Sequence, residues 1–200
     1  MNVNKQRALA NEIMETIYPL CPTAIVAGGA PRDWYFNNQA QDVDIFLYRP
    51  DLDTSDLGRK AFEAVGLEVQ PLVPQFPDGE PIGHETYFLN PRISHVYDME
   101  FNGLKFQFIL MNEKTFTSVV PHFPLNLSRI WYKNGEIHPT GEFLHGVKNK
   151  ALIKLDELYA DGGKYITKIK GRFPAYKYYS SVENFYKQDS YNYGKVHYGH

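Results

Sequence analysis

Asp42 and Asp44 stand two residues apart at the head of an apolar run, Asp-Val-Asp-Ile-Phe-Leu. In a strand, residues i and i+2 share a face. The two carboxylates therefore project together, and Val43, Ile45 and Leu47 face the other way, into a core. Acids held that close repel each other unless a cation sits between them. Magnesium suits such a pair, because it takes one or two carboxylates and completes its shell with water and substrate phosphates. Upstream lies Gly28-Gly29-Ala30-Pro31-Arg32-Asp33, between the apolar run Ala24–Ala27 and an expected helix start at Pro31. Glycines in that position expose backbone N–H groups at a helix N-terminus, where anions bind. A phosphate cradle beside metal-binding acids is the minimum equipment for phosphoryl or nucleotidyl transfer. A dinucleotide-binding reading of the same glycines needs a third glycine where Arg32 and Asp33 stand, and is set aside. Asp51 and Asp53 repeat the spacing, but they follow Pro50 and precede Thr54-Ser55, which makes them turn and cap residues.

Taken together, Gly28, Gly29, Arg32, Asp33, Asp42 and Asp44 resemble the head domain of the class II tRNA nucleotidyltransferase and poly(A) polymerase family. That family belongs to the wider polymerase-beta-like superfamily. Its signature is Gly-Gly-x-x-Arg-Asp, a short helix, then Asp-x-Asp on a strand. A second segment is similar to a later family block: His122-Phe123-Pro124-Leu125-Asn126-Leu127-Ser128-Arg129-Ile130-Trp131-Tyr132, then Asn134-Gly135, then His138-Pro139-Thr140-Gly141. The resemblance spans residues 20–150. It implies Mg2+ at Asp42 and Asp44, with a nucleoside triphosphate held by Gly28, Gly29, Arg32 and Asp33. Asn126 matches the family asparagine. Arg129 is either a phosphate contact or an exposed strand residue, and both are counted with the nucleotide-binding set.

Three departures from the family pattern matter. The third metal-binding acid is expected where this chain has Gln107. Asp98, opposite Gln107 on the same sheet face, is then the candidate third catalytic carboxylate beside Asp42 and Asp44; otherwise the site holds metal weakly and serves binding without chemistry. His122 replaces an acid in a segment that touches nucleotide in the family, so nucleotide preference does not carry over. The family's base-selecting Glu-Asp-x-x-Arg is not recognisable after residue 150.

The elements that must position these residues read as follows. Residues 3–18 carry helical apolar spacing, ended by Pro19 and Pro22. Strands are expected over Ala24–Ala27 and Asp42–Tyr48, with a helix over Pro31–Phe36 between them. Thr54 or Ser55 starts a helix reaching Gly66, and the proline-rich stretch 71–83 is a long loop. Asn102-Gly103 marks a hairpin between Val96–Phe101 and Leu104–Met111. A two-residue turn then pairs Phe101 with Leu104, Met99 with Phe106 and Tyr97 with Phe108 on an apolar face. Glu100 meets Lys105, as an ordinary cross-strand ion pair, and Asp98 meets Gln107 on the polar face. A short helix is expected over Lys114–Val120, and a second hairpin at Asn134-Gly135 follows a strand over Arg129–Tyr132. Residues 147–173 read as one or two helices.

The fold class is therefore α+β: a nucleotidyltransferase-type small mixed sheet backed by helices, with a short C-terminal helical appendage. Residues 1–150 are expected to form the head domain, 151–180 the helical neck-like appendage, and 181–200 a Tyr-rich, loosely ordered tail. The net charge of −2 over 200 residues argues against a protein that coats nucleic acid. One local exception is Lys164, Lys168, Lys170, Arg172 and Lys177, interleaved with Tyr165, Phe173, Tyr176, Tyr178 and Tyr179. Such a segment either guides single-stranded nucleic acid or is a solvated helix face whose rings pack inward. The single cysteine, Cys21, allows no intrachain disulfide and reads as a buried thiol. No stretch has the length of a membrane span, and no signal peptide is visible, so the chain is expected to be cytoplasmic. The functional expectation is Mg2+-dependent transfer of a nucleoside monophosphate from an NTP to an RNA end, a protein hydroxyl or a small molecule. The chain is too short for the family's tRNA-gripping domains, which disfavours full-length tRNA as acceptor. The alternative is a weakened domain that binds nucleotide, RNA or protein.

Overall fold

The computed structural model describes residues 1–47, 60, 63–64, 92–112, 119–155 and 163–187. Two compact units share the chain: Met1–Val120 with Trp131–His138, and Pro121–Ile130 with Pro139–His200. Among the described residues no helix is long and apolar enough to cross a membrane.

The first unit is a six-stranded mixed sheet with helices. Helix α1 (Val3–Ile17) starts at Asn2, whose side chain accepts from the Lys5 amide at 2.9 Å. It buries Val3, Gln6, Leu9, Ala10, Ile13, Met14 and Ile17 along one stripe. Strand β1 (Ile25–Ala27), helix α2 (Gly29–Tyr35) and strand β2 (Asp42–Leu47) follow, then the long strands β3 (Ile93–Phe101) and β4 (Leu104–Met111). The hairpin β5 (Ile130–Lys133) and β6 (Glu136–Pro139) completes the order β3-β4-β2-β1-β5-β6. β2 and β4 are parallel; β1 runs antiparallel to both β2 and β5, and β3 antiparallel to β4. Both Asn-Gly turns have positive φ at both central residues: 51° and 73° at Asn102-Gly103, 51° and 82° at Asn134-Gly135. That backbone matches the twist of the strands it joins. Cys21 is buried, as expected.

The second unit holds α3 (Gly141–Asn149), β7 (Ala151–Ile153), α4 (Lys164–Arg172) and β8 (Lys177–Tyr179). β7 and β8 pair in parallel, with Ala151 opposite Lys177 and Ile153 opposite Tyr179. Residues 182–187 are helical, and Phe185 packs on Ala151 and Ile153.

Some element boundaries differ from the sequence expectation. Strand β3 starts at Ile93, three residues ahead of Val96. Helix α2 begins at Gly29, ahead of Pro31, because Gly28 takes the turn at φ 80° and leaves Gly29 free to be helical. The expected helical stretch 147–173 contains a strand instead. Lys150 adopts the left-handed conformation at φ 48°, its N–H bonds the Gly146 and Val147 carbonyls, and α3 stops there. Ala151–Ile153 then enters a sheet. Of the helix expected over 54–66, Lys60, Glu63 and Ala64 are helical. The remainder of it lies outside the described residues, as do the 71–83 loop, most of Lys114–Val120, Asp51, Asp53 and residues 188–200.

Candidate active site

The alternation read from β2 is realised. Val43, Ile45 and Leu47 are fully buried, while Asp42 and Asp44 are half-buried on the other face. Each of the three apolar side chains contributes about 1.5–3 kcal/mol by burial. A one-residue slip would exchange them for carboxylates, so the core fixes which face carries the acids.

The neighbouring strands extend that face. Asp42 registers with Lys105 and Asp44 with Gln107 on β4. On β3, Glu100 registers with Lys105 and Asp98 with Gln107. Two rows therefore cross three strands: Glu100–Lys105–Asp42 and Asp98–Gln107–Asp44. Glu100, Lys105 and Asp98 are exposed, whereas Gln107 is 6% exposed. Its Nε2 donates to Asp98 Oδ1 at 2.7 Å. A cavity of about 340 Å³ opens on this face, lined by Asp42, Asp98, Met99, Glu100, Lys105 and Gln107. The hairpin register predicted from Asn102-Gly103 is the register observed. One detail is corrected: among the described residues Glu100 and Lys105 stand opposite each other without closing an ion pair. Both side chains are exposed, and water competes for such a contact.

The glycines reach the same end of the sheet. Val26 registers with Ile45, so one step further along β1 brings Ala27 beside Asp44 and Gly28 just beyond. Arg32 and Asp33, on α2, are tied to each other: Arg32 Nε donates to Asp33 Oδ1 at 3.1 Å, with the two side chains 4% and 3% exposed. The pair is buried and ties the two neighbouring side chains of α2 together. Gln6 holds this region in place. Its Oε1 accepts from Trp34 Nε1 at 3.0 Å and from the Ala40 amide at 2.9 Å, and its Nε2 donates to the Ala40 carbonyl at 2.8 Å. One buried amide thus fastens α2 and the approach to Asp42 onto α1. Sequence reasoning passed over Gln6, although a lone polar residue on the apolar stripe of α1 was its signal.

Asn126 and Arg129 lie in the second unit. Asn126 is 1% exposed, and its amide bonds backbone on both sides: Nδ2 donates to the Ala151 carbonyl at 3.0 Å, and Oδ1 accepts from the Ile153 amide at 2.9 Å. It acts as an extra strand residue for β7. Arg129 donates from Nε to the Phe123 carbonyl and from Nη1 to Glu142 Oε1, each at 3.3 Å. Glu142 sits in the first turn of α3, and its carboxyl is held below the usual glutamate range. Its own backbone N–H is the largest cause, helped by the Thr140 hydroxyl and Arg129 and opposed by burial.

The donor set can be tested against a metal ion. Two carboxylates on one strand face, with the cavity open beside Asp42, fit a single Mg2+, whose shell is completed by water and phosphate. Among the described residues no three His, Cys, Asp or Glu side chains gather closely enough to hold one.

No family model matches the chain, and no curated protein matches it. Solved structures do share the fold. An apo CCA-adding enzyme superposes with a TM-score of 0.58 at 13% identity, covering 96% of this chain and 46% of that one. The Thermotoga maritima CCA-adding enzyme, complexed with tRNA, gives 0.53 at 14% identity, over 94% of this chain and 45% of that one. A tRNA nucleotidyltransferase complexed with a primer tRNA and an incoming ATP analog gives 0.52 at 17% identity, over 86% and 47%. The chain spans less than half the length of each of these structures. At such identities the shared property is the fold, and it is the tRNA nucleotidyltransferase head-domain fold that the Gly-Gly and Asp-x-Asp segments resemble.

Proposed function

We propose that the chain is a nucleotidyltransferase that moves a nucleoside monophosphate from an NTP to an acceptor hydroxyl and releases pyrophosphate. The observation that carries this reading is the placement of Asp42 and Asp44 on one strand face, with Asp42 lining a cavity, within a tRNA nucleotidyltransferase-like fold. Asp42 and Asp44 would hold Mg2+, which supplies charge neutralisation on the transferring phosphorus and leaving pyrophosphate when bound. Gly28 and Gly29 would present backbone N–H groups to the phosphates, and Arg32 and Asp33 would shape the wall of α2 behind them. Asp98, steadied by Gln107, would add a third negative charge from β3. Asn126 and Arg129 would act through the shape of the second unit. An RNA end is the favoured acceptor, since neighbouring structures carry tRNA; protein hydroxyls and small molecules remain in the acceptor class.

A second reading has its own support: Gln107 replaces an acid at the centre of the face, which favours a domain that binds nucleotide, RNA or protein without transfer. The deciding measurement is Mg2+-dependent pyrophosphate release from each NTP, with and without RNA. Release that needs Mg2+ and an acceptor supports transfer. Nucleotide binding with no release under any condition supports the binding module.

A further inference from the structure

The acidic face is unsuited to a pair of divalent ions. Gln107 puts an uncharged amide at the centre of one row, and its Nε2 is committed to Asp98. Lys105 puts an ammonium at the centre of the other row and lines the cavity shared by both. We propose that this face takes a single divalent ion at Asp42 and Asp44, and that Lys105 supplies the second positive charge by meeting the phosphates of a bound nucleoside triphosphate. The proposal rests on the nucleotidyltransferase reading above.

The physical reasons are local. Lys105 is exposed, so its stem can turn toward a ligand without breaking core packing. Among the described residues it closes no ion pair with Asp42 or Glu100, although it registers with both. Asp42 and Lys105 stand in register on adjacent strands, which lie about 4.7–4.9 Å apart. A metal ion at Asp42 and the ammonium of Lys105 are then close enough to repel. That repulsion disfavours a second metal ion in the same cavity, whereas a polyanionic triphosphate attracts both charges. Asp98 and Glu100 on β3 line the same cavity as Lys105.

The test uses the full chain. Mn2+ binding is followed by the EPR signal of the free ion, with and without the α,β-methylene analogue of ATP, and analogue affinity is measured separately. Wild type should bind a single Mn2+, and Asp42→Asn should abolish it. Lys105→Gln should tighten Mn2+ in the absence of nucleotide and weaken the analogue by about tenfold, the loss of one charge-assisted phosphate contact. Lys105→Arg should keep most of the analogue affinity. Two Mn2+ per wild-type chain, or analogue affinity unchanged in Lys105→Gln, would overturn the role of Lys105 and leave the transferase reading standing. A wild type that binds neither Mn2+ nor the analogue would overturn both.

Discussion

Asp42 and Asp44 contribute nothing to the core, and that separates their chemistry from their stability. Both are half-buried on the face opposite Val43 and Ile45. Asp42→Asn and Asp44→Asn should each lower transferase activity by at least about a hundredfold, because each removes a charged metal ligand. Thermal unfolding should show little change, since the two acids repel each other when no cation is present. Near-full activity in either variant would remove the metal assignment. Glu142 carries the opposite kind of prediction. Its carboxyl is depressed in the folded chain, so it favours folding above the glutamate value of the unfolded chain, and that contribution is lost as pH falls through the folded value. Glu142→Gln should therefore lower Tm at neutral pH, and the gap to wild type should close in acid. The effect is worth a few tenths of a kcal/mol, because the side chain is 50% exposed and water screens its partners. A gap that persists unchanged in acid would show that packing, not charge, is responsible.

At the scale of elements, the junction of α3 and β7 has the sharpest steric constraint. Gly146 lies inside α3, where propensity alone favours alanine by about 1 kcal/mol. A Cβ there would overlap Asn126 Nδ2 and come within 2.9 Å of the Ala151 carbonyl. Those are the two ends of the hydrogen bond that fastens β7. Gly146→Ala should therefore destabilise by about 1–3 kcal/mol, the cost of overpacking, and reverse the helical preference. Urea unfolding would measure it; a stabilised variant would mean that Asn126 does not clamp β7 as seen. This junction also marks where the sequence stopped being legible. The β3–β4 register from Val96 to the turn could be read, because a two-residue Asn-Gly turn leaves a single pairing that buries Phe106 and Phe108 together, whereas the shift between Ile93 and His95 could not. The acid pair could be read because alternation along β2 is local. Ala151–Ile153 could not: three apolar residues after a helix carry no period, and their partners, Asn126 and β8, are distant in sequence.

For the whole molecule, the question is where a nucleic-acid acceptor could rest on a chain whose net charge is −2. Lysines and arginines outnumber acids within residues 139–200, and α4 presents Lys164, Lys168 and Lys170 outward. Its other face is committed: Ile166, Ile169 and Phe173 are buried, and the Tyr165 hydroxyl lies 2.6 Å from Ser128 Oγ. Lys170 lies over the Tyr178 ring at 4.9 Å and Lys177 over Tyr179 at 5.5 Å. Rings used in this way offer little for base stacking, so phosphate contact is the interaction left to the segment. Binding of this kind releases counterions and weakens steeply with salt. Changing Lys168, Lys170 and Arg172 together to Ala should weaken RNA binding and flatten the salt slope by about one unit per lost contact. Folding should survive, because none of the three is a core residue. Phe173→Ala is the control for the buried face and should cost about 3–5 kcal/mol. If wild type binds RNA and the triple variant binds it equally well at every salt concentration, α4 does not guide the acceptor, and its cations serve only to solvate the helix.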